Sequence, residues 1–135
     1  MSEALIPASE TPTAQSAISV AAIILTVNQR ELTARCLDSL LAAEHPPPHV
    51  LVWDNGSQDG TAQFIRQAYP DLLVHAHPVN LGVASGRNAA AALAMQAFNP
   101  AYLLFLDNDL VLEPGFVNAL LQPLRQNPRV GHTLA

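Results

Sequence analysis

Apolar residues in this chain fall into short unbroken blocks, and between the blocks they recur at helical spacing. Ile18–Leu25 is a β-branched, apolar run bounded by polar residues, the pattern of a buried strand. Leu32, Cys36, Leu37, Leu40 and Leu41 follow on one helical face, so Glu31–Ala43 is expected to be an amphipathic helix. His45 and the prolines Pro46, Pro47 and Pro48 stop it and force an extended connection. Val50–Trp53 reads as the second strand and runs into Asp54, after which Asn55–Thr61 is dense in turn formers. Ser57 or Asp59 is expected to cap the next helix, with Phe64, Ile65, Ala68 and Tyr69 on its inner side, until Pro70 and Asp71 break it. Leu72–Val74 is a short third strand, expected near a sheet edge.

A long loop, His77–Gly86, then feeds a helix at Ser85–Phe98 that Asn99 and Pro100 terminate. Tyr102–Leu106 is a continuous apolar run, read as a strand buried on both faces in the middle of the sheet. Glu113–Phe116 opens a last helix, with Pro114 expected in its first turn, which continues through Leu120, Leu121 and Leu124 towards Pro128. Strands alternating with helices imply right-handed crossovers, hence an α/β fold with a mainly parallel sheet flanked by helices. Polar residues follow the first, second and central (Tyr102–Leu106) strands at their carboxyl ends, which is where open α/β sheets bind ligands.

Composition narrows the function classes. The chain has 135 residues, half of them hydrophobic, which is enough for one domain with a core. Residues 1–17, rich in Pro, Ser, Thr and Ala, are expected to form a flexible leader before a domain at residues 18–135. Six Lys and Arg against 11 Asp and Glu give a formal charge of −5, an unfavourable balance for nucleic-acid binding. Cys36 is the only cysteine, which excludes an internal disulfide and a Cys-based zinc site, and it reads as a small apolar residue packed on its helix. No stretch approaches the ~18 apolar residues of a membrane span, and the amino terminus lacks the features of a secretory signal. A cytoplasmic location follows as the expectation, the inner face of the membrane included.

The candidate chemistry lies on the sheet rim. Asp107 and Asp109 follow the Tyr102–Leu106 run with one residue between them. If the chain stays extended there, both carboxylates point one way, about 7 Å apart at Cα, and a divalent ion with its phosphates fits beside them. The same Asp-Asn-Asp also suits an ordinary strand-ending turn. Asp54 adds another acceptor, and Asn80, Arg87 and Asn88 add hydrogen-bonding partners. Carboxylates suit ribose hydroxyls and base N–H groups, and Arg87 near a helix amino terminus suits an anion or a structural salt bridge to one of the aspartates. There is no G-x-G-x-x-G after the first strand and no P-loop, and no lysine occurs in the chain, which removes Schiff-base chemistry. His45, His49, His75, His77 and His132 lack metal-ligand spacing and read as surface or loop residues.

Four stretches carry a resemblance to a known family. Ile23–Asn28, Val52–Thr61, Asn80–Asn88 and Leu104–Asp109, in that order, look like the nucleotide-binding half of family 2 glycosyltransferases, which have the GT-A fold. The likeness runs from about Ile18 to Gly131. It implies inverting transfer of a sugar, of hexosyltransferase type, from a UDP-, dTDP- or GDP-linked donor, aided by Mg²⁺ or Mn²⁺. Carried over by position, Thr26, Asn28, Asn80 and Gly82 line the nucleotide pocket, Asp54 holds the base, and Arg87 and Asn88 border the nucleotide or diphosphate. Asp107 contacts the ribose or the metal shell, and Asp109 ligates the metal. Val27 stands where many relatives have tyrosine. The family's acceptor pocket and the carboxylate that deprotonates the acceptor belong to a further half not found before Ala135, so no general base is assigned. Glu113 reads as a helix-start residue.

Three readings follow. The first is a donor-binding glycosyltransferase domain, with little or no transfer expected from this chain alone. The second is a truncated, non-catalytic nucleotide-binding or self-assembling module, a homodimer formed through exposed apolar surface. The third, a nucleotidyltransferase or phosphatase, lacks a nucleophile or basic phosphate clamp.

Overall fold

The structure, a computed structural model, describes residues 19–44, 46–127 and 129. The element order is β1 (Val20–Thr26), α1 (Arg30–Ala43), β2 (His49–Asn55), α2 (Thr61–Ala68), β3 (Leu73–His77), α3 (Val83–Phe98), β4 (Tyr102–Leu106) and α4 (Phe116–Gln126). The four strands form one sheet in the order β3-β2-β1-β4, and all three pairings are parallel. This is the α/β architecture that the alternating pattern predicts. The leader at residues 1–17, Ile18, His45, Pro128 and residues 130–135 lie outside the described residues.

β1 is the strand at the centre. Its residues alternate between two cores. Val20, Ala22 and Ile24 join Val50, Val52, Val74 and Leu106 beneath Cys36, Leu37 and Leu40 of α1, Ile65 of α2, and Val117 and Leu121 of α4. Ala21 and Ile23 join Leu51 and Trp53 beneath Ala90 and Ala94 of α3. Three helices therefore cover one face and a single helix the other. The alanines of α3 let it lie close to the sheet, and Gly86 marks the tightest point: a Cβ there would come within 2.9 Å of Leu25 Cδ2 and 3.1 Å of Asn55 Nδ2.

Several sequence expectations are corrected. β4 is not central: it pairs with β1 alone among the described strands, and Phe105 is 42% exposed. A continuous apolar run therefore marks burial in β1 and an edge in β4. Phe64 and Ala68 of α2 are exposed, because the short helix turns only Thr61, Ala62 and Ile65 inward, and the Arg30 guanidinium lies over the Phe64 ring instead. α3 starts at Val83 rather than Ser85. Pro114 precedes α4, whose N-cap is Gly115, and Pro123 sits inside that helix. His75 and His77 are strand residues that meet Trp53, His75 tilted against it at 4.3 Å and His77 stacked on it at 5.7 Å between ring centroids, while His49 opens β2 against Phe98.

The segment between β4 and α4 is fastened to the end of α1. Leu112 N donates to Ser39 Oγ at 2.9 Å, Gly115 N to the Ala43 carbonyl at 3.1 Å, and Val117 N to Glu44 Oε2 at 3.0 Å. Glu44 thus caps α4 from another helix, placing a carboxylate at its positive end. Tyr69 Oη lies 2.6 Å from Asp38 Oδ1 and 3.0 Å from the Ala34 carbonyl, tying α2 to α1. Burial, and then the hydrogen bond with Asp38, push its phenol upward from the usual tyrosine range.

The contrast between β1 and β4 has a measurable consequence. Replacing Ile24, fully buried in the centre, by alanine is expected to cost about 2–5 kcal/mol of unfolding free energy. Phe105→Ala on the exposed edge is expected to cost less than about 1 kcal/mol. Urea unfolding of the two variants checks the order, and a reversed order would place the core elsewhere.

Candidate functional site

Parallel pairing sends every strand's carboxyl end to the same edge, and the register aligns those ends. Thr26 of β1 is level with Asp54 of β2, and Ile24 of β1 with Leu106 of β4, so Asp107 emerges one residue beyond that level. Hydrogen bonds between the loops show the convergence directly. Asn28 N donates to Ser57 Oγ at 2.8 Å, and Gln58 N returns a bond to Asn28 Oδ1 at 2.8 Å. This pair clamps the β1–α1 loop to the β2–α2 loop and holds Asn28 at φ 54°, a left-handed conformation that asparagine tolerates better than most residues.

Asp54 is 2% exposed. Its Oδ1 accepts from Ser57 N at 2.7 Å, closing a turn on the backbone in the manner of an Asx-turn. Its second oxygen receives no hydrogen bond among the described residues. Asn55, which the sequence reading passed over as a turn former, is the connector on the other side. Its Nδ2 donates to Asn80 Oδ1 at 3.0 Å and to the Gly82 carbonyl at 3.1 Å, and its Oδ1 accepts from Leu81 N at 3.2 Å and Trp53 Nε1 at 3.3 Å. Asn80 Oδ1 also accepts from Gly82 N at 2.7 Å. Asn80 and Gly82 therefore shape the β3–α3 loop with those groups. Gly56 lets the two loops touch: at φ 93°, a Cβ there would sit 2.7 Å from Asn80 N.

Neither Ser57 nor Asp59 is the residue that caps α2, whose N-cap is Gly60. Ser57 is engaged with Asn28. Asp59 Oδ1 accepts from Thr61 N at 3.1 Å and from the Thr61 hydroxyl, and the side-chain bond from Thr61 holds its carboxyl below the usual range.

The acidic segment forms a turn, with Leu110 N donating to the Asp107 carbonyl at 3.3 Å, so the extended geometry expected for Asp107–Asp109 is not adopted. Arg87 Nη2 pairs with Asp107 Oδ1 at 3.0 Å, both side chains partly in solvent, and its guanidinium lies over Phe105. The salt bridge that the sequence allowed for Arg87 is thus present. Asp109 is exposed, as is Asn88, whose side chain makes no hydrogen bond among the described residues. Thr26 is buried, its hydroxyl 2.8 Å from Thr33 Oγ1. Thr33 and Gln29 contribute to this junction and were not singled out by sequence reasoning; the signal that could have found Thr33 is a polar residue on the apolar side of α1.

Cys36 lies under the acidic turn, its thiol 3.7 Å from the Asp107 carbonyl. Burial, with the Asp109 and Asp107 carboxylates adding to it, pushes the thiol up to about 11. It is a neutral packing group at physiological pH.

Asp107 and Asp109 offer hard oxygen donors, and among the described residues no three His, Cys, Asp or Glu side chains form a metal cage. That donor set fits an ion of the Mg²⁺ type, which binds through one or two carboxylates and completes its shell with water and phosphate.

Comparison with known proteins bears on this rim. The family model described as Glycosyl transferase family 2 matches residues 21–134. An N-acetylglucosaminyl-diphospho-decaprenol L-rhamnosyltransferase of Mycobacterium tuberculosis is 35% identical over 104 residues, covering 72% of this chain and 34% of that protein. Glycosyltransferase AglE of Haloferax volcanii is 35% identical over 95 residues, covering 67% of this chain and 30% of that protein. A crystal structure of S. aureus TarS 1-349 in complex with UDP-GlcNAc superposes with a TM-score of 0.67 at 25% identity, covering 80% of this chain and 31% of that one. The chain spans about a third of the length of the curated relatives it matches.

The thiol beneath the turn gives an alkaline signature. Between the ordinary cysteine value of 9.0 and about 11, the folded chain keeps a proton that the unfolded chain releases, so stability falls as pH rises through that window. Unfolding curves across pH 8 to 11 are expected to show this decline. Cys36→Ala, although less stable throughout, is expected to have a shallower one.

Proposed function

The chain belongs to glycosyl transferase family 2, and we propose that it binds the nucleotide-sugar donor of a metal-dependent, inverting glycosyltransferase. The observation that carries this reading is the meeting, at one sheet edge, of a buried Asp54, whose second oxygen receives no hydrogen bond among the described residues, and an acidic turn with two exposed carboxylates. A buried carboxylate oxygen without a donor is costly, and the N–H edge of a nucleotide base supplies one. Thr26 and Asn28, on the loop beside it, line the nucleoside. Asp107 receives a ribose hydroxyl or joins Asp109 around Mg²⁺ or Mn²⁺. When bound, the ion neutralises charge on the departing diphosphate. Arg87, beside Asp107 and in the second turn of α3, offers a guanidinium to the same phosphates, and Asn88 borders them. UDP-GlcNAc in the TarS complex supports a nucleoside diphosphate-sugar as the ligand class. Acceptor recognition and the general base are not assigned to residues of this chain.

A second reading has its own support. β4 is an open edge strand, and Phe105, Leu110 and Val111 beside it are exposed, a surface that favours association with another chain or segment. Light scattering at rising concentration separates the two: a stable dimer that blocks nucleotide binding would favour assembly.

No described helix is long and apolar enough to cross a membrane. The donor reading is tested by calorimetry with UDP, dTDP and GDP, with and without Mn²⁺. Binding of at least one is expected to depend on metal. Asp54→Ala is expected to weaken it about tenfold or more with or without Mn²⁺, whereas Asp109→Ala removes the metal-dependent part. Absence of metal-dependent binding to all three nucleotides would count against this function.

A further inference from the structure

The residue between the two carboxylates of the acidic turn reaches away from them. Asn108 Nδ2 donates to Gln29 Oε1 at 2.8 Å and to Thr33 Oγ1 at 3.3 Å, with Thr26 Oγ1 at 3.5 Å. Thr26 ends β1, Gln29 is the N-cap of α1, and Thr33 lies in its first turn. One amide from the β4 end thus grips the β1–α1 connection at its helix end and reaches the strand end only at the limit of a hydrogen bond. An amide nitrogen carries two protons, so the two shorter contacts are met together, while the longest adds little. The acceptors are themselves fixed, since Thr33 Oγ1 lies 2.8 Å from Thr26 Oγ1 and 2.9 Å from the Gln29 carbonyl.

The chain just past the turn is held by Leu112 N on Ser39 Oγ, while the residues that carry the carboxylates have looser restraints. Asp107 is paired with Arg87 across a partly solvated gap, the Cys36 thiol touches the Asp107 carbonyl, and the Asp109 side chain makes no hydrogen bond among the described residues. Since Asp107 and Asp109 flank Asn108, freeing its amide loosens both, Asp109 the more because Asp107 keeps its pairing with Arg87.

We infer that Asn108, acting with Gln29, is a positioning residue that locks the acidic turn to the nucleoside-lining loop, so that metal and nucleotide binding are coupled through a side chain that touches neither. The inference rests on the donor-binding reading and names the part of the chain that links its two halves. A group that orients a metal ligand typically changes metal affinity by about 10–100-fold when removed.

Two variants and two readouts test it. Asn108→Ala removes the amide, and Gln29→Leu removes its nearest acceptor at an exposed position, so the second decides the question if the first fails to fold. The first readout needs no ligand: Cys36 is the only cysteine and lies under the turn, so its labelling by a thiol reagent reports the turn's opening. Both variants are expected to label about tenfold faster than the unaltered chain, the effect of losing roughly one hydrogen bond's worth of restraint. The second readout is calorimetry with whichever of UDP, dTDP or GDP the unaltered chain binds. The enhancement given by Mn²⁺ is expected to fall about tenfold, with binding in the absence of metal unchanged and the double variant no worse than the single ones.

Faster labelling with an intact Mn²⁺ enhancement would reduce the contact to packing and overturn the inference, as would no change in either readout. If the unaltered chain shows no Mn²⁺-dependent binding to any of the three nucleotides, the donor reading itself fails and takes the inference with it.

Discussion

β1 excludes water from both of its faces, and that constraint organises everything else. A strand in this position has no solvated side on which to carry polar side chains, so its first polar group, Thr26, appears only at its end. Its neighbours pair with it in parallel and in matched register, so Asp54 of β2 and the Asp107 turn after β4 are delivered to the same level. The chemistry of the rim is thus a consequence of where hydrophobic burial stops. Moving a strand by one residue would turn its buried positions to the opposite face and shift its polar terminus along the edge.

The rim residues also hold the loops together. Asn28, Asn55, Asn80 and Asn108 each bridge or shape loops through their amides, and Asp54 spends one oxygen on its own turn. Among the described residues, this internal bonding leaves the second Asp54 oxygen, the Asp109 carboxylate and the Asn88 side chain without a hydrogen bond. Family membership, with the extent of the match to residues 21–134, agrees with the layout of the site: the matched span contains every loop of the rim.

Fold class and much of the candidate site were legible in the sequence because both depend on local pattern. Apolar blocks alternating with amphipathic stretches specify strands and helices in turn, and the Asp and Asn residues at block ends mark the rim. What the pattern left open is what depends on neighbours. Tyr102–Leu106 and Ile18–Leu25 are alike as strings of apolar residues, yet of these two only β1 has described strands on both sides. Phe64 looks like a core residue by type, and the brevity of α2 turns it outward. Asn55 and Asn108 look like turn formers by type, and their connecting roles arise from partners 25 to 79 residues away, a distance no local pattern spans.

The contact of Trp53 with His75 and His77 gives the molecule an optical property. Trp53 is the only indole in the chain, it is hydrogen-bonded to Asn55, and it adjoins Asp54 along β2. Both imidazoles of β3 meet its ring, so the chain's tryptophan emission is a built-in reporter of the packing of β3 on β2. That reporter sits on the strand that carries Asp54, one residue away from it, without any introduced dye.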